Sequence, residues 1–152
     1  MGYDLEVSKV SKSILEEFIE CNPGVALRDL WGNAIFTYRE HIYDSRCSMF
    51  DEFFTSLTCE TMSTPVHKGG LDVDIVVDVC TEEGCIFAML NKNGVSRFLE
   101  WIERKLRSMV IYDFIECVDD ALEIPEMLSI YKSIRDASID FDREVIIYSG
   151  DW

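Results

Sequence analysis

Leu71-Asp72-Val73-Asp74-Ile75-Val76-Val77-Asp78-Val79-Cys80, followed after Thr81-Glu82-Glu83-Gly84 by Cys85-Ile86-Phe87-Ala88-Met89-Leu90, is the stretch on which the fold turns. In the first run every odd position is apolar and the even positions include Asp72, Asp74 and Asp78. Side chains alternate across a strand, so this period of two predicts a strand over 71–80 with one buried face and one acidic face. The second run is uniformly apolar and of strand length, which suits an antiparallel partner deeper in a sheet. A four-residue connection makes the pair a hairpin and sets Cys80 and Cys85 opposite each other, read as two thiols, with a redox pair as the other option.

Downstream, Asn91-Lys92-Asn93-Gly94 ends the strand and opens a helix with apolar face Val95, Phe98, Leu99, Ile102 and Leu106. Residues 113–135 read as helical again, split or kinked at Pro125. Residues 140–148, with Val145-Ile146-Ile147-Tyr148, read as a final strand. Upstream, Val7, Val10, Ile14, Phe18 and Cys21 keep helical spacing, Ser13 to Glu16 fits a capping box, and Asn22-Pro23-Gly24 ends that helix. Between residues 25 and 60, Ala34 to Tyr38 suits a strand by propensity, while Met49, Phe50, Phe53, Phe54 and Leu57 make a helical face. The region is read as a long, broken helix, and whether 34–57 is continuous stays open. Residues 61–70 read as a loop. The expectation is one α+β domain spanning 1–152: a small antiparallel sheet of about 71–80, 85–90 and 140–148, packed against several helices.

Composition sets the class. The 152 residues are 48% hydrophobic, enough for a core without disulfides or metal. Fourteen Lys and Arg against 29 Asp and Glu leave a net charge of −15, well beyond the magnitude of roughly 2–8 usual for a small soluble domain. Such a field repels phosphate backbones and anionic lipid, so neither nucleic acid nor membrane is an expected partner. The first residues lack the basic head and apolar stretch of a secretory signal, and no apolar run reaches the roughly 18 residues that span a bilayer, which predicts a cytoplasmic protein. The six cysteines are scattered without CxxC or zinc spacing and read as small buried thiols.

Catalytic chemistry finds no support. His41 and His67 are the only histidines, and neither sits beside a nucleophile in a recognisable pattern. GxGxxG, GxSxG and the phosphate-binding GxxxxGK are absent. Asp72 and Asp74 lie close enough to share a hard cation, but alternating aspartates on a strand more often mark a solvated face than a calcium loop. No enzyme, cofactor or metal site is therefore expected.

The acidity itself is the outlying feature. Self-repulsion of this size destabilises a compact state, so the charge is read as serving a basic protein partner, steering it and blocking its working surface. The expected partner-binding residues are Asp72, Asp74 and Asp78, with Glu82 and Glu83 at the hairpin tip and Asp119 and Asp120 as a second patch. Trp31, Trp101 and Trp152 are the expected aromatic anchors.

The segment Ile86-Phe87-Ala88-Met89-Leu90-Asn91-Lys92-Asn93-Gly94-Val95-Ser96-Arg97-Phe98-Leu99, a strand, a glycine turn and an amphipathic helix, resembles a pattern in small acidic immunity proteins of bacterial toxin systems, including those of contact-dependent growth inhibition. The resemblance implies a cytoplasmic inhibitor that binds a cognate basic toxin domain, often a nuclease, and occludes its active site. It implies no site residue. The other readings are an acidic adaptor or regulatory protein, acting through protein contacts or as a homodimer through the apolar 34–57 region, and a carboxylate–metal enzyme built on Asp72 and Asp74. Monomer and homodimer both stay open.

Overall fold

The computed structural model describes residues 3–57, 71, 73–80, 84–112 and 120–151. In chain order they form β1 (Asp4–Ser11), α1 (Lys12–Cys21), α2 (Leu27–Leu30), a π-helical turn (Trp31–Ile35), α3 (Phe36–Tyr38), β2 (Glu40–Ser45), a 3-10 turn (Ser48–Phe50), α4 (Asp51–Leu57), β3 (Ile75–Cys80), β4 (Cys85–Leu90), α5 (Lys92–Tyr112), α6 (Asp120–Asp136) and β5 (Glu144–Asp151). The strands make one antiparallel sheet in the order β2-β1-β5-β4-β3. The α+β domain expected from the sequence is present, with a larger sheet.

Register assigns each side chain to a face. Leu5 and Val7 of β1 pair with Gly150 and Tyr148 of β5, and Ile86, Ala88 and Leu90 of β4 continue the same face. They meet Phe50, Phe53 and Phe54, Val95, Phe98 and Ile102 of α5, and Met127, Ile130 and Ile134 of α6. On the opposite face Val10, Val145, Ile147 and Met89 pack under Leu15 and Ile19 of α1 and Leu27, Leu30, Ala34 and Ile35 of the next helical run. The central strand β5 is thus covered on both sides, which is why residues 145–148 are apolar without alternation.

The hairpin holds, with Cys80 opposite Cys85 in the register, and α5 buries Val95, Phe98 and Ile102 as its spacing predicts. Several boundaries differ from the expectation. The alternation Asp4-Leu5-Glu6-Val7 belongs to a strand that runs to Ser11, so the first helix starts at Lys12 with Ser11 before it. Residues 34–57 are not one helix: the chain leaves α3 at Tyr38, crosses the sheet edge as β2 and re-enters a helix at Asp51. Ala34 to Tyr38 is helical, because Ala34 and Ile35 are needed against the sheet. The last strand spans Glu144–Asp151, and α6 runs through Pro125 near its start. The expected loop at 61–70 lies outside the described residues.

Two polar networks sit beside the core. The Tyr3 and Tyr148 hydroxyls both donate to Asp51 Oδ1, and Gly150 leaves the room, since a Cβ there would lie 2.1 Å from Tyr3 Oη. Glu126 of α6 accepts from Tyr43 and Ser45 of β2. Burial pushes the Asp51 carboxyl above the ordinary carboxylate range, outweighing the two hydroxyls that lower it. A carboxyl raised in the folded state favours folding only while protonated, and that contribution is lost as pH rises through its folded pKa. Asp51→Asn keeps an acceptor for both hydroxyls and removes the charge. It is expected to raise Tm at neutral pH, with the gain fading as pH falls towards about 4. Thermal melts across that range check this, and a pH-independent difference or a loss at neutral pH would contradict it.

Candidate functional site

The second sheet face changes character along its length. At one end Val10, Ile147 and Met89 are covered by α1, α2 and the π-helical turn. Towards the other end the same face carries Glu6 and Asp4 on β1, Ser149 and Asp151 on β5, and Phe87 and Cys85 on β4. A helical layer buries apolar surface and gains nothing by covering carboxylates, so it stops where the face becomes polar. The uncovered end is the floor of a cleft of about 900 Å³. Trp31 and Phe36 form its helical wall, and Asp44 and Arg46 bound it on the β2 side.

The π-helical turn carries the wall. Its wider winding is a local departure of the kind often found at functional sites. It sets Trp31 against Phe87 with ring centroids 5.7 Å apart and Phe36 edge-on to Trp31 at 6.3 Å. Arg39 closes this corner: its Nε donates to Glu6 Oε2 at 2.7 Å, and its guanidinium lies 4.2 Å from the Phe36 ring centre and 5.6 Å from that of Trp31. Across the β1–β2 edge, a bulge with Ile42 as the extra residue separates the Val7–Tyr43 pair from Ser8–His41.

Charge is not balanced in the cleft. Asp4 stands directly opposite Asp151 and Glu6 opposite Asp44, an arrangement that costs on the order of 0.2–1 kcal/mol per like-charged pair. Arg39 offsets Glu6, and Asp44 lies 3.7 Å from the exposed His41. Among the described residues no ion pair reaches Asp4 or Asp151. On the cleft wall Phe36 is 57% exposed, while the equally exposed Tyr38 lies outside the cleft, beside Ile14 and Phe18 of α1.

Of the residues expected from the sequence, Trp31 lies on the cleft wall, and the described carboxylates Asp74 and Asp78 do not line the cleft. Asp78 is a correction: it is 3% exposed and points at α2, where the Arg28 backbone N–H, Nε and Nη2 donate to it at 3.1, 3.0 and 2.7 Å. Among the described residues β3 shows no solvated acidic face, because α2 covers Asp78. Asp74 precedes the strand and is half-buried. Its carbonyl accepts from the Asn91 N–H at 3.1 Å and its carboxylate from Asn91 Nδ2 at 3.1 Å. Asp120 opens α6, while Asp72, Glu82, Glu83, Asp119, His67 and Trp152 lie outside the described residues. Trp101 packs against the core beside Phe98 and Phe53. Of the 34–57 region suggested for homodimer contacts, Ala34, Ile35, Phe50, Phe53 and Phe54 are buried in the chain's own core. Among the described residues no group of three or more His, Cys, Asp or Glu side chains converges to hold a metal.

Sequence reasoning missed Asp4, Glu6, Asp44 and Asp151 as a group. The period-two alternation from Asp4 to Val7 was the available signal; helical spacing from Val7 onward obscured it. No helix among the described residues is long and apolar enough to cross a membrane. Compared with known proteins, the chain matches no family model, no curated protein and no solved structure.

Proposed function

We propose that this chain is an immunity protein: a cytoplasmic, stoichiometric inhibitor that binds a cognate basic toxin domain and occludes its active site, a nuclease being the toxin that the resemblance implies. The observation that carries the reading is the cleft, where carboxylates from three strands lie beside the exposed Phe36 ring and the partly buried Trp31. Binding energy concentrates in a few aromatic anchors, while rim charges set association rate and specificity. Phe36 and Trp31 suit the first role, and Asp4, Asp44 and Asp151 the second. The net charge of −15 adds long-range attraction for a basic surface.

The test is capture from a lysate of the source strain, followed by co-expression. The tagged chain is expected to retain one basic partner in equimolar amount at low salt and to release it at high salt. Expressed alone that partner is expected to arrest growth, and co-expression of this chain is expected to relieve the arrest. A partner whose toxicity the chain does not relieve, or a homodimer with no partner, would overturn the reading.

A further inference from the structure

We infer that the cleft between β1, β5 and the π-helical turn is a receptor for an arginine side chain presented by the basic partner. The inference rests on the function proposed above and names the chemistry by which the cleft would recognise that partner. Three independent features of the cleft support it.

The first is what the cleft already holds. Arg39 sits with its guanidinium over the Phe36 ring and its Nε on the Glu6 carboxylate. This corner of the molecule therefore solves guanidinium binding once, by an aromatic face and a carboxylate together. The same two components recur next to it: the half-buried Phe87 ring on the floor, and the carboxylates of Asp4 and Asp151 directly opposite each other.

The second is a polar group without a partner. Ser149 is 9% exposed, lies between Glu6 on β1 and Phe87 on β4 in the register, and lines the cleft. Among the described residues its hydroxyl takes no hydrogen-bond partner and is not enclosed by the protein, so it opens onto the cleft. A donor entering between Asp4 and Asp151 would reach this hydroxyl as well.

The third is shape and charge. The carboxylates line a volume of about 900 Å³ and do not converge on one point. That suits a planar, forked cation with five donors better than a compact ion, because the fork can engage carboxylates on adjacent strands at once. Arg46 also lines the cleft, so four carboxylates face two guanidiniums. Arg46 is exposed and makes no ion pair among the described residues, which leaves Asp4 and Asp151 for an incoming cation.

The experiment needs no knowledge of the partner. The 15N-labelled full chain is titrated at low salt with N-acetyl-arginine amide and, separately, with N-acetyl-lysine amide. Arginine is expected to give saturable shifts grouped at Glu6, Phe87, Ser149 and Asp151, and to bind about five-fold more tightly than lysine. Asp4→Asn/Asp151→Asn changes two exposed residues, so the spectrum is expected to keep its fold and lose these shifts. Equal binding of the two amides, shifts spread over the acidic surface, or shifts that survive in the double variant would overturn the inference. Preferential broadening of the same residues by Mn2+ would overturn it too, in favour of a metal. Seating of arginine without a captured toxin would defeat the proposed function alone, and a captured toxin with no arginine preference would defeat this inference alone.

Discussion

Arg28→Ala is expected to lower stability by about 3 kcal/mol, because it strands a charge. Asp78 is 3% exposed, and two of its three hydrogen bonds come from the Arg28 side chain. Removing one partner of a buried ion pair typically costs about 3–5 kcal/mol, far more than the pair itself contributes. The lower end applies because the Arg28 backbone N–H would remain and because the Arg28 side chain is itself 37% exposed, so the pair is only partly buried. In a chain of this length each kcal/mol moves Tm by roughly 2–4 °C, so a fall near 10 °C is expected. Arg28→Ala/Asp78→Asn discharges the stranded group and should be less destabilised than Arg28→Ala alone, giving a clear coupling in a double-mutant cycle. A Tm within about 2 °C of wild type for Arg28→Ala would mean that the Asp78 carboxylate reaches water, as the sequence reading held.

Gly94→Ala should destabilise by a similar amount, against the usual sign. Within a helix, Gly to Ala ordinarily gains up to about 1 kcal/mol. At position 94 an added Cβ would lie 2.0 Å from the Asp74 carbonyl oxygen and 2.9 Å from its carbon, both main-chain atoms that cannot rotate away. The crowding falls on a joint. Asn91 caps α5 by accepting the Gly94 N–H at 2.9 Å, and Asn91 N–H and Nδ2 both donate to Asp74. Room for the methyl requires moving the start of β3 away from α5, which breaks this joint. Overpacking of this kind costs on the order of 3 kcal/mol. Denaturant unfolding measures it, and an unchanged or raised midpoint would contradict the close approach.

How much of this was legible depended on which residues each element buries. The β3–β4 hairpin and α5 were readable because their apolar patterns match their own period. β1 was not separated from α1, since Val7 and Val10 serve opposite sheet faces while also keeping helical spacing with Ile14. β2 carries almost no signal of its own: Glu40, His41 and Asp44 are exposed on an edge strand, and only Tyr43 is buried. The acidic site was harder still. Asp4 and Glu6 lie near one end of the chain, Asp44 within its first third and Asp151 at the other end, and only strand order brings them together. Asp78 misled for a related reason, because alternation states which side of a strand is polar but not whether a helix with an arginine covers it.

The central claim is that the chain meets its basic partner at this cleft and not merely through its overall charge. The most direct measurement compares partner affinity for Asp4→Asn/Asp151→Asn with that for Glu100→Gln/Asp136→Asn. The control removes the same charge from exposed positions on α5 and α6, across the sheet from the cleft. The cleft variant is expected to bind at least about ten-fold more weakly and the control within about two-fold of wild type. Equal weakening of the two variants would contradict the claim and reduce the acidity to a general field.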